Sequence, residues 1–421
     1  MLAVVTFIIV FGILVIVHEF GHFYAAKKSG ILVREFSIGM GPKLIQTRKN
    51  GTTYTLRLLP LGGYVRMAGT QDDDNEIKPG TTATIRLNDK GIISRIDLSS
   101  KNIDIDGIPV QIVKADLIDD LTMTVFENGE EEQEKKYSVD HDATIVEEDG
   151  TEILIAPRDV HFQSATLWRR IVTNFAGPFN NVILSIVSFM IVAFMMGGVQ
   201  DLSSNQVGEV QKDTPAYSAG IREGDKIVEI NNEKTKTFKD IQSEISKAKD
   251  KSISLTVAHN KNTETIKVTP KKVNGSDSKI IGIKPSTDDS FMAKVKYGFI
   301  QPFAIAAMIL TVLGHMITGG FSLDQLSGPV GIYSLTSQVA SQGVISVISF
   351  IGMLSINLGI MNLIPIPALD GGKLLLNFIE GIRGKPISEE REGIINLIGV
   401  VILVVLMVAV TWNDIQRFFI H

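Results

Sequence analysis

The stretch HEFGH, residues 18–22, lies inside an apolar run that extends from residue 2 to residue 26. A run of this length can cross the ~30 Å hydrocarbon core of a bilayer as a single helix. Residues four apart lie on one face of a helix, so His18 and His22 can bind one metal ion, and zinc suits hydrolytic chemistry. Glu19 lies beside them, where it can accept a proton from the attacking water. The stretch therefore predicts a metal-dependent hydrolytic site within a membrane-spanning helix.

Two simpler interpretations compete with this one. The apolar run could be a cleaved signal peptide, but signal peptides carry positive charge before the apolar core, whereas Lys27 and Lys28 follow this one. Alternatively, HEFGH could mark only the end of a span at the headgroups. Ionisable side chains are costly in hydrocarbon, however, and inside a membrane they usually mark function.

The composition fits a membrane protein that carries water-exposed domains. Of the 421 residues, 44% are hydrophobic and only 21% are charged, and long apolar runs lie at both ends of the chain. The net charge of −5 gives no reason to expect a nucleic acid partner. Cysteine is absent, so disulfide bonds are excluded and any metal ligands must come from His, Asp or Glu.

We predict a multi-domain membrane protein with a core of four spanning helices, at residues 1–26, 171–198, 344–376 and 392–412. The segment 293–320 is also apolar, but it contains Gln301, His315 and a Gly-Gly pair. We interpret it as an amphipathic helix that lies on or partly in the membrane. A fifth full span is the alternative.

Positive charge orients the predicted spans. Lysines and arginines are concentrated in the connection between the first and second spans and in the short link between the third and fourth. The positive-inside rule places both connections in the cytoplasm. The two termini and the segment between the second and third spans then lie outside, and HEFGH lies near the cytoplasmic side. A fifth span would put one basic connection on the wrong side.

A catalytic zinc ion normally has three protein ligands and one open position. The third predicted span ends in NLIPIPALDGG, residues 362–372, near the cytoplasmic side. Asp370 and His22 each stand a few residues before a lysine, so they reach a similar depth, and Asp370 is the best third ligand. An ordinary helix-end residue in a glycine-rich turn is the alternative. Pro365 and Pro367 should break the helix there and leave backbone groups free near the metal.

Three motifs in order carry a family resemblance. HEFGH at 18–22, NFAGPFNN at 174–181 and NLIPIPALDGG at 362–372 resemble the site-2 protease family in its RseP-type branch, over almost the whole chain. The resemblance implies a zinc endopeptidase of the bacterial plasma membrane that acts in regulated intramembrane proteolysis. The partners it implies are membrane-embedded anti-sigma factors, trimmed first by another protease, or released lipoprotein signal peptides.

The functional residues of the family fall on matching positions of this chain. The resemblance implies that the zinc ligands are His18, His22 and Asp370, that the catalytic base is Glu19, and that substrate is bound by Asn357, Asn362, Pro365 and Pro367. Amide side chains inside a membrane can hydrogen-bond an unwound substrate backbone. Hydrogen bonding between helices is the alternative for the two asparagines.

Residues 33–68 alternate apolar and polar side chains around glycines, which predicts strands of a membrane-associated hairpin or sheet. In the family, a sheet at this place lies beside the active site and pairs with the substrate. Cleavage needs an extended backbone, which a strand edge can hold, and we assign Gly39 and Gly41 to this surface. A plain cytoplasmic hairpin is the alternative.

Two water-exposed domains complete the prediction. Residues 205–286 resemble a bacterial PDZ domain, which would lie outside and could capture extended peptides by strand addition. The predicted peptide-binding strand is Val207, Gly208, Glu209 and Val210. A size filter that binds no peptide is the alternative. Residues 70–165 predict a small β-rich cytoplasmic domain with an acidic loop at 127–136, and nothing in this segment indicates its chemistry.

Two other function classes remain open. The chain could be a catalytically silent adaptor that presents its PDZ domain, or a metal transporter that uses the intramembrane His and carboxylate groups. An adaptor should have lost a metal ligand or the base, and none is missing. A transporter needs polar groups along a path across the bilayer, whereas here they gather at one depth. Both observations favour the protease.

Overall fold

The structure is a computed structural model that describes residues 2–70, 77–99, 107–128, 133–248, 252–259, 262–272, 279–320, 322–385 and 387–417. The chain divides into two compact units. One unit comprises Met1–Ser188 together with Pro302–His421, and the other comprises Phe189–Gln301. Each unit is described by itself below.

The helices are α1 (Leu2–Lys28), α2 (Leu167–Met195), α3 (Pro215–Ser218), α4 (Phe238–Lys247), α5 (Phe291–Thr318), α6 (Pro329–Ser341), α7 (Val344–Leu363), α8 (Asp370–Arg383) and α9 (Glu389–Ile415). Within the described residues, α1, α2, α5, α7 and α9 are long and apolar enough to cross a membrane. Such a set of helices is that of a membrane protein.

The strands are β1 (Val33–Lys49), β2 (Thr52–Met67), β3 (Thr82–Leu87), β4 (Ile93–Asp97), β5 (Ile108–Asp116), β6 (Thr122–Glu127), β7 (Glu134–Val146), β8 (Glu152–Leu154), β9 (Val199–Gln200), β10 (Val207–Val210), β11 (Lys226–Ile230), β12 (Glu233–Lys234), β13 (Ile253–His259), β14 (Asn262–Val268), β15 (Lys271–Lys272), β16 (Lys279–Ile280), β17 (Ile283–Pro285) and β18 (Thr287–Asp288). Part of the predicted acidic loop, at 129–132, lies outside the described residues.

The structure differs from the predicted helix pattern in two places. The predicted third span, 344–376, is two helices, because α7 ends at Leu363 and α8 starts at Asp370. Pro365 and Pro367 in the link cannot donate backbone hydrogen bonds, which stops α7. The segment predicted as a surface helix is the continuous helix α5, which meets the same length and hydropathy limits as the other long helices. The number of crossings therefore stays a prediction.

The segment 33–68 is a hairpin of two long, bent strands. Residues 43–49 pair with 52–57, while residues 35–38 pair on one side with 53–56 and on the other with 63–66. The inner part of this sheet packs on the end of α1 through a small apolar cluster that includes Ala26, Phe36 and Val65. The sheet is thereby attached to the helix that carries HEFGH.

The following segment folds into a small closed barrel. Its strands lie in the order β4-β3-β5-β6-β7, β4 also pairs with β7, and the short β8 pairs with the last residues of β7. The interior is filled by buried apolar side chains such as Ile85, Ile112 and Met123. Closure uses the backbone groups of the ring strands and leaves the ring without a free edge.

The unit Phe189–Gln301 contains a four-stranded sheet in the order β12-β11-β13-β14, on which α4 packs with Phe238, Ile241 and Ile245 buried. α4 begins at a capping box formed by Thr237 and Asp240. In this unit β10 pairs with β17.

Candidate metal centre

Two turns of different helices bring the three predicted ligands together. His18 and His22 are one turn apart on α1, and Asp370 is the first residue of α8. The Nε2 atoms of the two histidines lie 3.3 Å apart, and each lies 3.3 Å from Oδ2 of Asp370. The centre of such a triangle is about 1.9 Å from each corner, close to the ~2.0–2.2 Å of zinc–nitrogen and zinc–oxygen bonds.

The chemistry of this donor set fits a cation. Oδ2 of Asp370 is buried and accepts no hydrogen bond from the described residues, although the side chain is only 12% exposed. A buried carboxylate oxygen without a donor is unfavourable unless it binds a positive charge. Two imidazoles and a carboxylate with one open position are the ligand set of a catalytic zinc ion.

The far side of each imidazole is also held, by α2. Nδ1 of His22 lies 2.8 Å from the carbonyl oxygen of Thr173, so it donates there and leaves Nε2 free for the metal. Nδ1 of His18 lies 3.1 Å from the amide of Asn181, whose Oδ1 is buried without a partner. Turning this amide by 180° lets its oxygen accept from His18 Nδ1 and leaves Nε2 of His18 free for the metal.

Glycines allow α1 and α2 to approach closely at the metal centre. A Cβ atom on Gly177 would lie 2.2 Å from Nε2 of His22, and one on Gly21 would lie 2.3 Å from the carbonyl oxygen of Ala176. The side chain of Asn180 donates to the carbonyl oxygen of Val17, 3.1 Å away. The motif NFAGPFNN thus shapes the site, although sequence reasoning assigned it no function there. Its two small residues beside two asparagines were the available signal.

Glu19 faces the hairpin. It is half-buried on α1, and a Cβ atom on Gly63 of β2 would lie 3.7 Å from its Cγ atom. Gly39 and Gly41, the predicted substrate-binding glycines, both have positive φ and lie where β1 bends. A Cβ atom on Gly39 would lie 2.6 Å from the carbonyl oxygen of Leu59, so this position requires glycine. The hairpin therefore places a strand next to Glu19.

The link before Asp370 is fixed from two sides. Ala368 has φ of 74°, and Cβ atoms on Gly371 and Gly372 would lie 2.3 Å from carbonyl oxygens of the link itself. Gly399 of α9 packs on the carbonyl oxygen of Pro367, where a Cβ atom would lie 2.2 Å away. Further along α8, Glu380 forms an ion pair with Arg170 of α2. These contacts fix the position of Asp370 at the start of α8.

The remaining predicted residues have varied positions. Asn357 and Asn362 are half-buried on α7, and neither side chain has a hydrogen-bond partner within the described part of the chain, so both amides are available. Pro365 is exposed and Pro367 packs against α9.

The strand predicted to bind peptide is β10, which pairs with β17 in a two-stranded sheet. Val207 pairs with Pro285 and Val210 pairs with Ile283, while on the other side the amide of Val207 donates to the carbonyl oxygen of Asp225. Among the described residues, Val207 is the member of this strand with backbone partners on the side away from β17, at Gly224 and Asp225. Peptide binding by Val207, Gly208, Glu209 and Val210 therefore stays a prediction.

Two imidazoles, a carboxylate and an adjacent glutamate, on helices of this apolarity, define a zinc metallopeptidase of the membrane-protein class. The model of peptidase family M50 matches residues 6–406. The chain therefore belongs to peptidase family M50, the site-2 protease family, and it is a zinc metalloprotease.

Similar proteins carry consistent names. The "Probable protease eep" of Enterococcus faecalis is 51% identical over 422 residues, which cover 100% of both chains. Relatives named as zinc metalloproteases in Streptococcus pyogenes serotype M6 and Streptococcus pneumoniae serotype 4 are 52% and 47% identical, again over 100% of both chains. The solved PDZ domain of an SdrC-like protein from Listeria monocytogenes is 23% identical, with a TM-score of 0.18, over 19% of this chain and 85% of that domain. That similarity is too low to support a fold.

Proposed function

We propose that this metalloprotease cleaves peptide bonds within the membrane-spanning segments of its substrates. The observation that carries the proposal is the joining of His18, His22 and Asp370 at one point, with Glu19 beside them on an apolar helix. When bound, zinc supplies a Lewis acid that polarises the scissile carbonyl group. The protein substrate must then enter the helical bundle, and its helix must unwind before cleavage.

The chain's own residues supply the rest of the mechanism. Glu19 accepts a proton from the attacking water and returns it to the leaving amide nitrogen. The strand of β2 beside Glu19 holds the unwound substrate backbone extended, and the free amides of Asn357 and Asn362 hydrogen-bond backbone groups that lipid leaves unsatisfied. Thr173 and Asn181 keep the imidazoles in the tautomer that exposes Nε2.

A polar cavity near this centre can hold water. It has a volume of about 380 Å³ and lies beside α8, with Asn174, Lys373 and Asn377 in its wall. Lys373 is one helical turn from Asp370, and a cavity of this size and polarity holds several water molecules. Water held there lies one helical turn from Asp370, while the apolar helices face lipid.

We propose membrane-embedded proteins as substrates, either anti-sigma factors already shortened by a first protease or released lipoprotein signal peptides. The positive charges that flank α1 and α2 support a location in the plasma membrane with the metal centre near the cytoplasmic side, the termini and PDZ-like unit being outside. In that position the PDZ-like unit could bind the outer part of a substrate or exclude untrimmed ones.

The test is the variant Glu19→Gln in reconstituted membranes with a transmembrane model substrate. We expect normal zinc content and a loss of cleavage of about 10²-fold to 10⁴-fold, because the base is lost and the ligands are kept. Glu127→Gln, in the barrel, is the matched control and should cleave normally. Unchanged turnover in Glu19→Gln would refute the proposal.

The variant Asp370→Ala tests the third ligand. We expect it to lose zinc, because two imidazoles alone do not complete the site. Full metal occupancy after dialysis, measured by atomic absorption, would remove Asp370 from the ligand set.

A further inference from the structure

The closed barrel is attached to the hairpin through one turn and one short strand. Nε of Arg34 donates to the carbonyl oxygen of Leu154 at 2.7 Å, and the hydroxyl of Thr53 donates to the carbonyl oxygen of Glu152 at 2.5 Å. Both acceptors belong to β8, which pairs with β7, contributes Ile153 to the barrel core and contacts both hairpin strands. β8 therefore connects a closed barrel to a two-stranded element.

The turn between β7 and β8, residues 147–151, adds charged contacts. Nη1 of Arg66 lies 2.8 Å from Oε1 of Glu147, with side chains only 9% and 17% exposed. Nη1 of Arg57 lies 3.6 Å from Oδ2 of Asp149. Such a shielded pair is screened less than a surface pair, and loss of one partner leaves a poorly solvated charge.

These arginines belong to the part of the hairpin that reaches the catalytic glutamate. Nη2 of Arg57 donates to the carboxylate of Glu35 and to the hydroxyl of Tyr64, each at 2.9 Å, and Glu35 is fully buried. Tyr64 is the neighbour of Gly63, which packs against Glu19. A continuous series of contacts therefore connects the turn at 147–151 with Glu19, by way of Arg57 and Tyr64.

The hairpin depends for stability on the elements it packs on, here α1 and β8, whereas a closed barrel with a filled interior is rigid. We propose that the barrel is a positioning element, which uses Glu147 and Asp149 to fix β2 against Glu19 and thereby sets the register in which substrate is cleaved. This inference rests on the proposed function, because it assumes that the strand beside Glu19 receives substrate.

Register matters because a misplacement of about 1 Å at a reacting centre can cost about 10²-fold in rate. The metal ligands come from α1 and α8, not from the hairpin. Loosening the hairpin should therefore leave zinc binding intact and change where and how tightly substrate lies. A residue that merely supports folding would not alter the position of the cut.

The experiment uses the full-length zinc enzyme in vesicles with a transmembrane model substrate. Zinc content, KM, kcat and the masses of the two products are measured for Glu147→Gln, Asp149→Asn and Glu147→Asp. For Glu147→Gln we expect KM to rise about tenfold, with normal zinc content and cuts spread over neighbouring bonds. Asp149→Asn should show a smaller change in the same direction, and Glu147→Asp should restore most of the wild-type behaviour.

Glu127→Gln is the matched control, since Glu127 pairs with Lys135 within the barrel. Wild-type KM and a single unchanged cut in both Glu147→Gln and Asp149→Asn would overturn the inference, as would loss of zinc in Glu147→Gln. If Glu147→Gln does not fold, Asp149→Asn decides, because its side chain is 47% exposed and its loss is tolerable. Activity in Glu19→Gln would instead refute the proposed function.

Discussion

His22 is enclosed by α2 on two sides. The carbonyl oxygen of Thr173 fixes its Nδ1, and Gly177 lies directly against the ring atom that faces the metal. For Gly177→Ala we expect zinc affinity to fall at least tenfold, because the new methyl group would occupy the space of Nε2 and displace the ring. Competition with a chelator of known affinity measures this change.

Gly12→Ala is the control for this glycine. Gly12 lies on α1, and a Cβ atom there would meet nothing within 4 Å. The control should bind zinc as the wild type does and could gain helix stability. Equal zinc affinity in Gly177→Ala and Gly12→Ala would contradict the close approach of α2 to the metal centre.

The second prediction for a single residue concerns Asn181. Its side chain is fully buried and orients His18 through Nδ1. Loss of such an outer hydrogen bond typically lowers metal affinity by about tenfold to 10²-fold, and we expect this for Asn181→Ala. Asn180→Ala, which removes only the bond to the carbonyl oxygen of Val17, should have a much smaller effect on zinc affinity. Equal effects of the two variants would contradict the assignment.

The sequence predicted the ligands but not their support. His18 and His22 follow from a spacing of four within one helix, and Asp370 follows from its depth beside a lysine. Thr173 acts through its backbone carbonyl group, which any residue could supply, so no sequence pattern reveals it. Gly177 is needed only because α1 packs against α2 at this position, and the packing of two distant helices cannot be read from a local sequence pattern.

At the scale of elements, α6 depends on a residue far away in the chain. Oδ2 of Asp414, near the end of α9, accepts from the amides of Gly328 and Gly331 at 2.9 and 2.8 Å. These are amides at the start of α6, which have no partner within the helix. Asp414 is only 2% exposed, so it caps α6 inside the protein.

For Asp414→Ala we therefore expect a destabilisation of about 1–3 kcal/mol with normal zinc content, because two buried amides lose their acceptor. Thermal unfolding and hydrogen exchange of α6 measure it. The exposed Asp289→Ala, in the other unit, should change neither. Wild-type exchange protection of α6 in Asp414→Ala would contradict the cap.

Local sequence patterns predicted the helices and strands better than they predicted which strands pair with each other. The alternation in residues 70–165 indicated strands, but closure of the barrel depends on β4 meeting β7, which lies some 40 residues further along. Similarly, VGEV was expected to be a strand, but its partner β17 lies far along the chain and could not be identified from local patterns. Proline positions, by contrast, act locally, and they predicted the break before Asp370.

At the scale of the whole chain, contacts fix the directions of three helices. Asn181 of α2 contacts His18 and Ser355, while Ser185, one turn later, contacts Gly352, which is earlier on α7. α2 therefore runs opposite to α1 and α7, which run in the same direction. Since α1 and α7 both end at the metal centre, α2 must leave that side and α7 must return to it.

The chain between α2 and α7 must then make an even number of crossings. α6, with 13 residues, is about 20 Å long, too short to cross ~30 Å of hydrocarbon. The first turn of α6 is hydrogen-bonded to Asp414 of α9, and Tyr333 of α6 contacts Phe7 of α1. α6 therefore lies at the end of the bundle away from the metal centre. We therefore expect α5 to begin and end on that same side, as in the four-span prediction.

The absence of cysteine makes this expectation testable with single introduced thiols. Thr318→Cys, at the exposed end of α5, should react with a membrane-impermeant maleimide in intact cells to the same extent as Ser203→Cys. Asp120→Cys and Lys385→Cys should react only after permeabilisation, because the basic connections lie inside. If Thr318→Cys behaves like Lys385→Cys, α5 crosses the membrane. Residues 319–327 would then have to cross the membrane back to Gly328. Nine residues at ~3.4 Å each span the hydrocarbon core only when almost fully extended. The turn at Leu323–Gln325 does not allow such an extended link.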